Sequence, residues 1–314
     1  MTFSTGKIIN DLIKSNPDKY KKFYKKMTFE EIAIINKKLI DTLKVFDEIC
    51  RSNNLTYMLV AGGLIGAIRD GKCIPWDDDI DLVMPRDDYN EFGKILKNSK
   101  DKYPNYEMKY PENNDVITMG AHFYDKNVKL TNLISGDIGE SNIYEAFVNL
   151  DILPIDFCPE NRIKNKIIGL LSDAIQMGYI SRRCFKKVDP FVNFLAKDSL
   201  ELKINLIIRS LFAVPFLVFS KKILFSFLNK LYKNQKGSDY MTIPYGALRY
   251  FGEETPADFW YPVKDIDFCG LKVMAPNKPE EYLRHRYGDF EKNPPIEDQE
   301  ERMIRLRHDW ENFI

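Results

Sequence analysis

Four aspartates on a short apolar stretch set the chemistry open to this chain. Asp77, Asp78, Asp79 and Asp81 lie in Pro75-Trp76-Asp77-Asp78-Asp79-Ile80-Asp81-Leu82-Val83-Met84. Side chains alternate along a strand, so Asp79 and Asp81 face one way and Ile80 and Leu82 the other. Asp77 shares the parity of Asp79 and Asp81. Asp78 has the opposite parity and reads as a supporting or capping residue. Carboxylates gathered on one face repel each other unless a cation neutralises them. Hard oxygen ligands of this kind suit Mg²⁺, or Mn²⁺ in its place, and such an ion in turn binds substrate phosphates. The pattern therefore points to metal-dependent phosphoryl or nucleotidyl transfer. An acidic surface loop is the competing reading, and the apolar residues from Ile80 to Met84 argue against it because they make the flank a core strand.

The residues leading into this run fit the same chemistry. Leu55 to Ala61 reads as a strand, Gly62-Gly63 as the turn after it, and Leu64 to Ile68 as a short helix. A strand feeding a glycine pair at a helix start exposes backbone N–H groups that can hold a phosphate, aided by the helix dipole. A tight turn alone would also use two glycines; the Asp-x-Asp strand soon after gives the pair its meaning. Arg69 and Lys72 stand between the two parts, where cations could meet donor phosphates, although Lys72 fits an exposed turn equally well. A third carboxylate comes from the apolar run Ala146 to Ile155, read as a strand with Phe147, Asn149 and Asp151 on one face. An unpaired charge inside such a run is costly, and a metal would compensate it. Asp151 is thus the third candidate. Asp156, beyond Pro154, reads as a cap for the helix that follows. The expected catalytic set is Asp79, Asp81 and Asp151, with Asp77 joining them around the metal.

Gly62-Gly63-x-x-Gly66-x-x-Arg69 followed by Ile74-Pro75-Trp76-Asp77-Asp78-Asp79-Ile80-Asp81 resembles the signature of the LicD family, which is similar to the fukutin-related transferases and lies within the nucleotidyltransferase-fold group. Val148 to Asp156 resembles a further segment of that family. Arg249-Tyr250-Phe251-Gly252 and the stretch from Tyr261 to Asp289 resemble its C-terminal part. The resemblance spans roughly residues 30–158 and 244–310. It implies an α/β (α+β) fold: a nucleotidyltransferase-like mixed sheet core with a helical insertion and a C-terminal extension. The expected divisions are residues 1–160 for the catalytic core, 161–240 for the insertion and 241–314 for the C-terminal part. It also implies transfer of a phospho-alcohol such as phosphocholine from a CDP-alcohol donor to a hydroxyl of a cell-surface glycan, a lipid-linked glycan or teichoic acid, with release of CMP. Gly62, Gly63, Arg69, Lys72 and Arg249 would then contact the substrates. Attachment of NMP from an NTP to a small molecule or protein, or binding without catalysis, are the alternatives the residues leave open.

Composition narrows the setting. Lys plus Arg and Asp plus Glu number 46 each, so bulk charge gives no reason to expect nucleic acid as a partner. Five widely spread cysteines, Cys50, Cys73, Cys158, Cys184 and Cys269, form no CxxC pair, and free thiols are expected. His122, His285 and His308 show no ligand spacing; His122 falls in a strand and could serve as a base. Met1 to Tyr20 is polar and lacks the apolar region of a signal peptide, which gives a cytoplasmic expectation, with the inner face of the membrane as its variant.

The elements that must position these residues are legible in part. Thr28 and Glu31 form a capping-box pattern that opens a helix to about Arg51, with Ile32, Ile35, Leu39, Leu43 and Phe46 as its apolar stripe. Pro85 to Tyr89 opens another helix. Tyr106 to Tyr110 and Ile117 to Lys129 read as strands. Residues 162–236 turn helical, and short strands and turns follow from Tyr261 before a charged C-terminal helix. Within the helical part, Ile204 to Ser220 is very apolar but carries Arg209 and Pro215. It reads as a buried helix pair broken at Pro215. The alternative is a helix lying at a membrane surface as a peripheral contact, with Lys221, Lys222, Lys230 and Lys233 near anionic headgroups.

Overall fold

The computed structural model describes residues 5–113, 119–130, 147–186, 190–233, 235 and 238–306. Two short helices, α1 (Thr5–Ser15) and α2 (Pro17–Tyr20), and a short strand β1 (Tyr24–Lys26) precede the long helix α3 (Phe29–Ser52). The start of α3 is fixed by the expected capping box. The Glu31 amide donates to Oγ1 of Thr28 at 3.2 Å and the Thr28 amide to Oε2 of Glu31 at 3.0 Å. The five apolar positions of its stripe are all buried.

The next strand, β2 (Met58–Leu59), is shorter than the apolar run suggested, and α4 (Ala61–Asp70) begins at once. Gly62 and Gly63 therefore lie in the first turn of α4 rather than in a turn before it. The sharp entry is taken by Ala61 at a left-handed φ of 51°, a strained choice for a residue with a Cβ. Then come β3 (Ile80–Pro85), α5 (Arg86–Asn98), β4 (Tyr106–Lys109), β5 (Ala121–Lys129) and β6 (Phe147–Phe157). Residues 117, 118 and 146, expected at strand ends, lie outside the described residues. The expected insertion is occupied by α6 (Arg162–Lys186), α7 (Pro190–Asp198), α8 (Leu200–Ala213) and α9 (Lys221–Tyr232). The chain closes with β7 (Tyr240–Thr242), α10 (Arg249–Gly252), β8 (Thr255–Pro256), β9 (Lys264–Phe268), β10 (Leu271–Ala275), α11 (Pro279–Tyr287), α12 (Ile296–Arg302) and β11 (Ile304–Leu306).

The central sheet runs β2-β3-β6-β5-β4, with β7 on the far end of β6 and β8 beside it. β3 and β6 are parallel and the other pairs antiparallel, so the mixed α/β class is borne out. Phe46 of α3 and Phe92 of α5 pack edge-on to Phe123 of β5, which stands opposite Leu150 of β6. These two helices thus cover the face bearing Leu150 and Ile152. The alternating burial of β6 leaves Asn149 and Asp151 on the other face, as strand parity requires. A second apolar cluster joins α6 and α9 through Tyr179, Phe225, Tyr232, Tyr245 and Tyr250.

Two expectations are corrected. Asp156 does not cap the following helix, because β6 continues through it and α6 is capped by Asn161, whose Oδ1 accepts the amides of Ile163 and Lys164. Being of opposite parity to Asp151, Asp156 faces α5, where its buried carboxylate accepts from Nε of Arg86 at 2.7 Å and Nη2 at 2.5 Å. Arg86 also donates to Oδ1 of Asn229 on α9 at 2.6 Å. The second correction concerns residues 204–220. The chain does bend near Pro215, by 82° between Leu200–Phe216 and Lys221–Tyr232, but the run from Ile204 to Ser220 is largely exposed. The inward positions of α8 are held by Leu202, Asn205 and Ala213, which leaves Ile204, Ile207, Ile208 and Leu211 exposed.

Candidate active site

The sheet brings the aspartates together by register. Asp81 on β3 lies directly beside Asp151 on β6, and His122 on β5 lies directly across from Asp151. Asp79 precedes β3 by one residue and Asp77 by three. The start of α4 borders the same loop: the Asp77 carboxylate occupies the space over Gly62 that a Cβ would fill. Gly62 is required there for a close approach, and the group approaching the helix start in this structure is the chain's own carboxylate. Gly63 is buried against Leu59, so its role is packing of α4 on β2.

The electrostatics of the cluster are those of crowded, partly buried carboxylates. Removal of water by the surrounding protein, then the charges of Asp77, Asp81, Asp151 and Asp78, push the Asp79 carboxyl up to about 8, although its side chain reaches the surface. Burial, then Asp151 and Asp77, push Asp81 up to about 7, and Arg286 works against that rise. Among the described residues no three His, Cys, Asp or Glu side chains are already closed around a common point as a metal shell. The donor set still fits a hard divalent cation. It consists of carboxylate oxygens on adjoining strands and the loop before β3, and their burial and crowding raise the proton affinity of Asp79 and Asp81, which a cation would reverse.

Asp151 is the most organised member. Its Oδ1 lies 2.7 Å from Nδ1 of His122 and accepts from Nδ2 of Asn149 at 2.5 Å. Nδ1 of His122 is also 2.8 Å from that amide nitrogen. With its proton on Nδ1, His122 donates to the carboxylate; without it, the ring nitrogen accepts from Asn149.

The expected cationic contacts are placed differently from one another. Arg69, at the end of α4, pairs with Asp70 at 2.9 Å and lies 6.0 Å above the buried Trp76 ring, so it braces the loop that carries the aspartates. Lys72 is exposed and lines a cavity of about 580 Å³ with Cys73, Pro75 and Cys269 beside α3. Arg249 opens α10 at a left-handed φ of 61° and acts on Asp173 of α6. The cation that acts on Asp81 is Arg286 of α11. Arg286 donates to the buried Glu253 and to the Tyr287 hydroxyl, while the Leu248 amide donates to the other oxygen of Glu253. The sequence singled out the stretch around Tyr282 and Tyr287 but not Arg286 itself. Its signal, an arginine between two tyrosines on a helix, has no meaning until α11 is docked.

Residues 54–138 match the LicD/FKTN/FKRP nucleotidyltransferase domain. The chain carries a LicD domain. Over 287 residues it is 27% identical to the lipopolysaccharide cholinephosphotransferase LicD of Haemophilus influenzae, covering 90% of this chain and 98% of that protein. It is also 36% identical over 62 residues to an uncharacterized protein of Rickettsia typhi, 20% of each chain. The matched LicD domain holds the glycine pair, all four aspartates of the first run and His122, and it stops before Asp151. The third carboxylate joins the LicD residues only through the pairing of β3 with β6.

Proposed function

We propose that this protein is a LicD-type transferase that moves phosphocholine, or a related phospho-alcohol, from a CDP-alcohol to a hydroxyl of a cell-surface glycan such as a lipopolysaccharide, a lipid-linked glycan or teichoic acid. One observation carries the reading: an acidic cluster around Asp79, Asp81 and Asp151 sits in a chain similar to a cholinephosphotransferase over 98% of that relative's length. In the reaction the acceptor oxygen forms a bond to the phosphorus that bears the alcohol. The bond from that phosphorus to the bridging oxygen breaks, and CMP leaves with the electron pair. Mg²⁺ or Mn²⁺ held by Asp79, Asp81 and Asp151, with Asp77 beside them, would neutralise the donor diphosphate and the charge that develops on CMP.

The chain's own groups do the rest. Asp151 takes the proton from the acceptor hydroxyl, and His122 and Asn149 hold its Oδ1 so that the carboxylate keeps one orientation. The amides at the start of α4 steady the donor phosphates, while Gly62 makes room for the Asp77 carboxylate beside them. Arg69 fixes Trp76 and thereby the loop from Trp76 to Asp79. Incubation with a panel of CDP-alcohols and Mg²⁺ or Mn²⁺, scored for CMP, tests the proposal. CMP release from CDP-choline or CDP-ribitol is expected. Pyrophosphate release from CTP or ATP would make the protein a nucleotidyltransferase instead, and no turnover of either would leave a binding protein.

A further inference from the structure

Helix α8 turns an apolar face outward, and α9, though its Leu224, Phe225, Leu228 and Tyr232 are buried, adds exposed apolar residues beside it. In α8, Leu200, Ile204, Ile207, Ile208 and Leu211 recur at the spacing of one helix face, and that face is exposed, with Leu200 at 73% and Leu211 at 67%. Its polar residue Asn205 is buried instead, accepting from Oγ1 of Thr5 at 2.9 Å. The corner beyond α8 is the most open part: Val218 is 81% exposed and Phe219 lies beside it. On α9, Ile223 and Phe227, one turn apart, are exposed as well. A face of this kind in water needs a partner.

Charge selects which partner. The chain as a whole is balanced, yet residues 161–237 hold fifteen Lys and Arg against four Asp and Glu, and from Leu202 to Gly237 there are seven basic residues and no acidic one. Two of these, Lys221 and Lys222, directly follow the apolar corner. A second copy of the chain would set basic against basic, which opposes association. An apolar ridge with lysines at its base matches a surface with anionic headgroups over hydrocarbon. No single helix among the described residues is long and apolar enough to cross a membrane, whereas the bent pair α8–α9 is apolar enough in combination. A bend of 82° suits a corner that dips into one leaflet rather than a span.

We infer that the α8–α9 corner docks this protein on an anionic phospholipid surface, with Val218 and Phe219 in the acyl boundary and Lys221 and Lys222 at the headgroups. Docking needs neither donor nor acceptor, so it stands or falls separately from the proposed transfer.

The test is co-sedimentation of the full chain with vesicles of phosphatidylcholine alone and of phosphatidylcholine mixed with phosphatidylglycerol, without substrates. Retention by the mixed vesicles is expected. It should fall between about 0.1 M and about 1 M salt, as screening shortens from roughly 10 to roughly 3 Å. Replacing Lys221 and Lys222 by Glu should cost at least about fivefold in partition for each site. Val218→Glu with Phe219→Glu should abolish retention with the melting temperature unchanged, since both side chains are exposed. Ile34→Glu, an exposed apolar position on α3, should bind as the parent does. The inference is overturned if mixed vesicles do not retain the parent protein, or if the corner and lysine variants bind equally well. It is also overturned if the corner variant turns a dimer into a monomer while vesicles retain neither.

Discussion

Replacing Asp81 by Asn should abolish turnover and make the metal-free protein more stable at neutral and alkaline pH. The Asp81 carboxyl is pushed up to about 7 from an ordinary 3.8, first by burial and then by Asp151 and Asp77. A carboxyl raised in the folded state binds its proton more tightly there than in the unfolded chain. Folded-state stability is therefore unaffected below about pH 4, falls as pH rises from about 4 to 7, and carries the full penalty above that. At about 1.4 kcal/mol for each tenfold change in proton affinity, the penalty is on the order of 4 kcal/mol before neighbouring groups relax. Asparagine keeps the shape and removes the charge. The variant should melt about 6 °C higher than the parent at pH 8 in chelator, at roughly 1.5 °C per kcal/mol for a chain of this size, and the two should converge near pH 4. Mg²⁺ should narrow the gap at pH 8 by more than half, because at a hundredfold excess over its dissociation constant it adds about 2.7 kcal/mol to the parent. Differential scanning calorimetry across pH, with and without Mg²⁺, reads all of this. A variant that melts lower than the parent at pH 8 in chelator would refute the reasoning, as would a parent whose stability in chelator is flat from pH 4 to 8.

The two carboxylates of β6 should separate cleanly. Asp151→Asn is expected to lose activity with its melting temperature kept, whereas Asp156→Ala leaves Arg86 buried without its partner and should cost about 3–5 kcal/mol in denaturant unfolding; activity loss at Asp156 without destabilisation would count against this division. His122→Ala should lower kcat by about 10–100-fold and alter its pH profile, since an orienting partner of a reacting carboxylate is lost, and an unchanged profile would remove His122 from the site. Gly62→Ala drives a methyl group into the Asp77 carboxylate; a displacement on the 1 Å scale should cost on the order of a hundredfold in turnover, and near-normal CMP release would show that the Asp77 position is irrelevant.

Local rules made much of the site legible. The capping box at Thr28 and Glu31, the parity that puts Asp79 and Asp81 on one side, and the parity that puts Asn149 beside Asp151 depend only on neighbours within a few residues. A periodic backbone repeats them faithfully. The same parity separates Asp156 from Asp151, but what awaits Asp156 on its own face could not be read, since Arg86 reaches it from 70 residues before and is itself held by Asn229, 143 residues further on than Arg86. Periodicity tells which face a side chain takes and nothing about which element covers that face. Hence His122 gained its role only when β5 paired with β6, and Arg286 only when α11 came to bear on Asp81. The apolar run near Pro215 shows the limit most plainly. Its hydrophobicity implied burial, yet burial depends on whether other elements remain to cover it. The inward side of α8 was filled by Leu202, Asn205 and Ala213, so tertiary packing turned the isoleucines outward.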